Sequence, residues 1–217
     1  MGNRMSVYRL SAYSRALKKF RELGYVKIFS KNIANTSGVT EFQVRKDFSL
    51  YGITGNKRGG YIVEDLISKI DSIFGKNKIE KVILIGCGSL GSALLKYRGF
   101  EKEGMQVAAG FDEDSSKQIK INNIVVYPMS HLQEFIRVNM ISAAVLAVPG
   151  IVAQEISSLL IKYGILGILN FAPVNLTISE NSNVSIINVN VATELENLLY
   201  HVNSNKSKIG TNSLPGS

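Results

Sequence analysis

The chain reads as α/β: a basic winged helix-turn-helix followed by a doubly wound parallel sheet. Three observations predict this. An apolar run, Val82–Ile85, enters a glycine turn, Gly86-x-Gly88-x-x-Gly91, and a helical pattern follows over Ser89–Tyr97. Short apolar runs then alternate with helical patterns as far as Ile187. Ahead of them, two short helices joined by a glycine turn precede a cationic, glycine-rich tip.

The glycine turn is the most informative stretch. Strand, glycine turn and helix in that order are what a dinucleotide pyrophosphate site requires. Gly86 allows the tight turn, Gly88 lets the backbone approach the pyrophosphate, and Gly91 lets helix and strand pack closely. Cys87, Ser89 and Leu90 complete the loop, and the anion would meet free N–H groups at the helix start. Val107–Phe111 reads as the second strand and delivers Asp112, 21 positions beyond Gly91. That is near the spacing of the acid that binds a ribose 2′-OH. Asp112, Glu113 and Asp114 would repel a 2′-phosphate, so the expected cofactor is NAD+/NADH rather than the phosphorylated form.

The remaining strands are expected at Ile124–Tyr127, Ala143–Val148, Ile165–Leu169 and Val184–Ile187, for six in all. Ser130–Gln133 resembles a capping box for a helix to Asn139, and Pro149 suits the first turn of the next helix. In a doubly wound sheet, a Rossmann domain, the ligand lies beyond the strand carboxyl ends. The loops Ala147-Val148-Pro149-Gly150 and Asn170-Phe171-Ala172-Pro173 belong there. Neither carries an acid, a base or a thiol, which favours sensing over turnover and leaves no catalytic residue to name. Cys87 reads as a small buried residue under the turn.

In the first third, Val7, Leu10, Tyr13, Leu17 and Phe20 fall at helical spacing and Gly24 closes the segment. Val26–Phe29 is a short extended link. Ser30 is a plausible N-cap for a helix over Lys31–Asn35, and Thr40 with Gln43 forms a capping box opening a third helix to about Tyr51. Its apolar set is Phe42, Val44, Phe48 and Tyr51, which leaves Gln43, Arg45, Lys46 and Ser49 outward. Such residues read base edges or hold phosphates in a recognition helix. Lys57 and Arg58 sit at the tip of a wing that continues into a strand at Tyr61–Val63, and Glu64–Phe74 is a fourth helix.

Charge follows this division. Residues 1–78 hold 15 Lys+Arg against 6 Asp+Glu, whereas residues 79–217 hold 10 against 11. The excess that makes the chain +8 therefore lies ahead of the glycine turn, which points to a polyanionic partner for that part. The expected domains are 1–78 for DNA, 79–190 for the dinucleotide, a helix over 191–203, and a flexible polar tail over 204–217. One cysteine and two histidines argue against both a disulfide framework and a structural zinc site. No apolar run approaches the length of a bilayer span and no signal-peptide core is seen, so a cytoplasmic protein is expected.

Five segments together resemble the Rex family of bacterial redox-sensing transcriptional repressors, over about residues 5–203. They are Gln43–Asp47, Lys57-Arg58-Gly59-x-Tyr61, Gly86–Phe100, Phe111–Asp114 and Asn170–Pro173. The resemblance implies a homodimer whose last helix swaps to the partner, an operator bound with NAD+ and released by NADH, and target genes of NADH reoxidation. It implies that Tyr97 lies near the nicotinamide and that Arg15 pairs with an acid just before the swapped helix. This chain has Asn190 where that acid aligns, and Ser89 where the family usually has Asn. An uncharged partner for Arg15 forms a weaker bond, so a shallower NADH response is expected. Two other readings stay open: an NAD-dependent oxidoreductase with a fused DNA-binding head, and a constitutive DNA-binding protein whose nucleotide domain only dimerises.

Overall fold

The computed structural model describes residues 4–56, 59–76, 78–114, 116, 120–178 and 182–211, with side chains as far as 206. Lys57 and Arg58 lie outside the described residues. The chain divides into two compact units, Met1–Ile79 and Glu80–Ser217.

The first unit contains α1 (Arg4–Glu22), β1 (Lys27–Ile28), α2 (Ser30–Ser37), α3 (Glu41–Leu50), β2 (Tyr61–Ile62) and α4 (Val63–Ile73). The extended link Val26–Phe29 is more than a connector. Its β1 pairs antiparallel with β2, Lys27 opposite Ile62 and Ile28 opposite Tyr61, and Asn56 bridges Gly60 to close the hairpin tip. Val63 starts α4 rather than ending the strand. Ser30 is the first helical residue and not the cap. Phe29 holds the cap position, and its N–H donates to the Asn32 side chain at 2.9 Å. At α3 half of the capping box forms: Thr40 Oγ1 accepts the Gln43 N–H at 3.1 Å, while the Gln43 side chain turns elsewhere.

The core of this unit joins Leu10, Tyr13 and Leu17 of α1 to Ile33, Val44, Phe48 and Ile70. Val7 and Phe42 do not join it; Phe42 is 69% exposed. At about 100° per residue, Val44, Asp47, Phe48 and Tyr51 share an arc of roughly 100°, and Phe42 lies opposite. The fourth member of the buried face is thus an acid. Asp47 is 2% exposed, and its carboxylate accepts from Arg9 Nε (2.6 Å), Arg9 Nη2 (2.7 Å), Tyr13 Oη (2.8 Å) and Gln43 Nε2 (2.9 Å). Burial pushes the Asp47 carboxyl up, but the bonds from Arg9, Tyr13 and Gln43 together outweigh it and hold it below the usual range.

The second unit is a seven-stranded sheet. Its strands are β3 (Glu80–Ile85), β4 (Met105–Asp112), β5 (Lys120–Ile121), β6 (Ile124–Pro128), β7 (Ala143–Leu146), β8 (Gly167–Asn170) and β9 (Ser185–Asn188), in the order β5-β6-β4-β3-β7-β8-β9. The six expected strands are parallel and stand in doubly wound order. The seventh, β5, is a two-residue antiparallel addition turned by Asn122 and Asn123, both at positive φ. Between strands run α5 (Ser89–Leu95), α6 (Gly99–Lys102), α7 (Leu132–Asn139) and α8 (Gly150–Lys162). A 3-10 turn, Met129–His131, leads into α7. His131 occupies the cap position without a side-chain cap bond, so the Ser130–Gln133 capping box does not form. Pro149 likewise precedes α8 instead of opening it.

Successive residues of β3 point to opposite faces, which is why the run is apolar throughout. Ile83 and Ile85 join Phe111, Leu146 and the α7–α8 residues Ile136 and Leu160, whereas Leu84 joins Cys87, Leu95 and Val107. The last helix, α9 (Val191–Thr211), runs well past residue 203, because no proline or glycine interrupts it before Gly210. Val191, Leu195, Leu198, Leu199 and Tyr200 on it are each at least half exposed.

Asp47 makes the first unit acid-sensitive. Its folded pKa is depressed, so its contribution is fully present above the unfolded value of about 3.9 and is lost as pH falls through the folded one. Amide exchange in α3 should accelerate across that window in the native protein and change little there in Asp47→Asn. Arg9→Met strips a buried carboxylate of its charged partner and should cost ~3 kcal/mol at neutral pH, read from the same amides by hydrogen exchange. An unchanged exchange rate would show that the ion pair is dispensable.

Candidate dinucleotide and nucleic-acid sites

At the carboxyl ends of β3 and β7, where the crossovers change side, the chain is packed to its steric limit. Gly86 has φ +90°, and a Cβ there would lie 2.5 Å from the Ala147 carbonyl oxygen. A Cβ on Gly91 would collide with the Gly86 carbonyl. Both glycines are therefore demanded by the fold itself. Gly88 is different. Its φ of −65° suits any residue, and a Cβ would meet nothing within 4 Å. The space above Gly88 is open, as the approach of a pyrophosphate requires. The N–H groups of Ser89, Leu90 and Gly91 precede the first helical bond of α5, Ser92 N–H to Gly88 O at 2.8 Å.

Asp112 lies beneath this turn. It is 9% exposed; Oδ2 accepts the Cys87 N–H at 2.6 Å and Oδ1 accepts the Asp114 N–H at 2.8 Å. The acid expected at a ribose thus also braces the glycine turn. Glu113, the next residue, is exposed and lines the same cleft. Cys87 is 3% exposed and packs beside Gly110 and Leu95, and the Ser92 hydroxyl donates to its carbonyl at 2.7 Å.

A cleft of about 930 Å³ brings together Gly86, Gly88, Asp112, Ala147, Val148 and Pro149. It continues along one face of α8 past Val152, Glu155, Ile156, Leu159 and Lys162. That stripe escaped the sequence reading, although its three- and four-residue spacing behind the Ala147–Gly150 loop was available as a signal. Its lining is mostly apolar and includes the carboxylates of Asp112, Glu113 and Glu155, which fits an adenosine better than a free anion.

Tyr97, Asn170, Phe171, Ala172 and Pro173 are not among the residues lining this cleft. Tyr97 is 60% exposed and stacks edge-on against Phe100. Asn170 is fully buried and works as a loop organiser. Its Nδ2 donates to the Val174 carbonyl and to Asn188 Oδ1, both at 2.8 Å, and its Oδ1 accepts the Ala172 N–H at 2.9 Å. Asn190 caps α9: its Oδ1 accepts the N–H groups of Ala192 (3.0 Å) and Thr193 (3.2 Å). Arg15 is exposed and donates to Ser11 one turn earlier in α1.

On the first unit, Arg45, Lys46 and Ser49 are exposed on α3, with Thr40 exposed at its cap. Arg45 pairs with Glu41 at 2.9 Å. A groove of about 720 Å³ joins Arg45 and Ser49 to the hairpin residues Asn56 and Gly60. Gln43 is half-buried and not freely outward, because its amide is tied to Asp47. Arg9 and Asp47 are the residues the sequence reading missed. They lie 38 positions apart, and only the fold brings them together.

If this division of roles holds, Gly88→Ala should leave thermal stability unchanged but lower NADH affinity at least tenfold by calorimetry. Gly91→Ala should destabilise the second unit by ~1–3 kcal/mol through overpacking. Equal melting losses in both would contradict the assignment of Gly88 to ligand approach.

Residues 77–174 match the family model described as a CoA binding domain, and residues 4–49 match one described as a putative DNA-binding protein N-terminus. The redox-sensing transcriptional repressor Rex of Carboxydothermus hydrogenoformans is 37% identical over 198 residues, which cover 91% of this chain and 94% of that one. Its counterpart in Streptococcus pyogenes serotype M12 is 40% identical over 200 residues, covering 91% and 92%. Among solved structures, RSP, a Rex-family repressor, aligns over 98% of this chain and 99% of its own at a TM-score of 0.87 and 28% identity. RSP in complex with β-NADH aligns at 0.83 over 97% and 99% with 29% identity. RSP in complex with β-NAD+ and operator DNA aligns at 0.87 over 99% of both chains with 28% identity. With identities of this size over nine-tenths of both chains, the protein belongs to the Rex family of repressors.

Proposed function

We propose that this protein is a DNA-binding transcriptional repressor that senses the NADH/NAD+ ratio, holding its operator with NAD+ or without cofactor and releasing it with NADH. The observation that carries this reading is the pairing, in one chain, of a basic winged unit with a glycine-turn cleft that leaves Gly88 open and is lined by Asp112 and Glu113. Gly86 to Gly91 hold the pyrophosphate, with Cys87 supporting the turn. Asp112 and Glu113 accept from the adenosine ribose and repel a 2′-phosphate. Ala147, Val148 and Pro149, with Tyr97 and the loop Asn170–Pro173, serve the nicotinamide end. When bound, the dinucleotide supplies only its redox state. Neither nicotinamide-side loop carries an acid or base to move a proton, so the protein is not an enzyme.

Thr40, Gln43, Arg45, Lys46 and Ser49, with Lys57 and Arg58 of the wing, take the DNA. Phosphate contacts give most of the affinity and make it steeply salt-dependent. The domains are 1–78 for DNA and 79–190 for dinucleotide, with α9 as the dimerisation helix. The exposed leucines of α9 support a homodimer in which this helix covers a partner, so that two reading heads meet a palindromic operator. The protein acts in the cytoplasm; no described helix is long and apolar enough to cross a membrane.

A second reading, a shallower NADH response, is favoured by the capping role of Asn190. An aspartate could cap with one oxygen and pair with Arg15 through the other. Asparagine caps with its one oxygen, and its remaining group is a donor, which an arginine cannot use.

Fluorescence anisotropy of a labelled palindromic operator at fixed salt tests this. NADH should release the operator and NAD+ should not, and Asn190→Asp should steepen the response. A native response already as complete as that of Asn190→Asp would remove the second reading, and binding indifferent to both cofactors would remove the first. Lys46→Ala should weaken operator binding at least tenfold with cofactor affinity intact, whereas Asp112→Ala should do the reverse. Crossed outcomes would overturn the division of sites.

A further inference from the structure

We propose that Asp47 is a positioning residue for base recognition, fixing the Gln43 amide so that its carbonyl oxygen faces the DNA. This rests on the reading of α3 as the recognition helix. Gln43 stands in the first turn of α3, the part of a recognition helix that reaches base edges. Its side chain is half-buried, and Nε2 donates to Asp47 Oδ1 at 2.9 Å.

The orientation follows from chemistry. A carboxylate only accepts, so the amide edge turned to Asp47 must be the nitrogen. Asp47 cannot turn away to suit the glutamine, because Arg9 grips both of its oxygens and Tyr13 donates to Oδ2. A free glutamine can present either its oxygen or its NH₂ group to a base. Here the choice is already made. Oε1 is directed away from the carboxylate as an acceptor, and one N–H remains beside it.

That pair complements an adenine edge: Oε1 accepts from N6, and the remaining N–H donates to N7. Guanine offers two acceptors at the same places, and the fixed Oε1 would oppose its O6. The selectivity of Gln43 is thus set by a residue that never touches DNA. Reversing the polarity of the buried partner should reverse the base preference. In Asp47→Asn, an NH₂ group can replace Oδ1, and Gln43 then turns its oxygen inward and its NH₂ outward, toward guanine.

The test is selection of bound duplexes from a random-sequence library at fixed salt, with full-length protein and sequencing of the bound fraction. Native protein, Gln43→Met and Asp47→Asn are compared, and circular dichroism reports folding. One position in each half-site should carry an A·T pair, by roughly tenfold over G·C, in the native protein. Gln43→Met should erase that preference and spare the other positions. Folded Asp47→Asn should move it toward guanine, which a merely structural role for Asp47 would not do. If Asp47→Asn fails to fold, the first two proteins decide: a Gln43-dependent preference for a G·C pair overturns the proposal, and one for an A·T pair supports it. An unaltered sequence profile in Gln43→Met, or adenine retained in folded Asp47→Asn, also overturns it while leaving DNA binding intact. Enrichment of no sequence by the native protein would instead sink the DNA-binding reading itself.

Discussion

A carboxylate taken out of water has to be given donors, and in both units of this chain that requirement organises the ground around the site. Asp47 meets it with a guanidinium, a phenol and an amide drawn from α1 and α3. Asp112 meets it with two backbone N–H groups, one of them inside the glycine turn. An unpaired buried charge is far more costly than a missed neutral bond. The elements supplying the donors are therefore held in place: α1 against α3, and the glycine turn against the end of β4. In each case the acid is itself buried and ties together chain segments far apart in sequence.

The glycine turn shows how one loop separates folding from binding. Gly86 and Gly91 have backbone carbonyls where a Cβ would go, whereas Gly88 has open space. Two of the three motif glycines would be needed if no dinucleotide ever bound. The third has no purpose that the protein atoms reveal, and a ligand approaching that backbone supplies one. Cys87 fits the same account: buried beneath the turn with its N–H on Asp112, it is part of the scaffold, and a bulkier side chain would press on Gly110.

Much of this was legible in the sequence because the signals are local. The six parallel strands, the glycine turn and the acid 21 residues beyond it all follow from apolar runs and spacing. What escaped was set by tertiary contact or by very short elements. Nothing in the sequence sets Asp47 against Arg9, 38 positions away, and Phe42 reads as core until the helical arc is drawn through Asp47. Strand β5 has two residues, too few for any period to register. The α8 face of the cleft follows its loop at regular helical spacing but looks like ordinary core. The bonds by which the Asn170 side chain fixes its loop to the neighbouring strand likewise come only with tertiary contact.

Asn190 bears on how strongly a cofactor could be coupled to DNA. A ligand shifts a two-state equilibrium only by its differential affinity for the two states, and the contacts that distinguish those states set the gap it must overcome. A hydrogen bond to a charged group contributes about 1.5–3 kcal/mol net. On the proposed pairing, an acid in place of Asn190 would give Arg15 such a bond in the DNA-competent state, and Asn190, with its one oxygen on the helix cap, does not, which is roughly tenfold or more in that state's population. The helix cap is indifferent to the exchange, since asparagine and aspartate cap equally well. The substitution therefore bears on the balance between states while sparing the start of α9. A repressor adjusted in this way would hold its operator less firmly before any cofactor acts, leaving NADH a smaller share of the transition to drive.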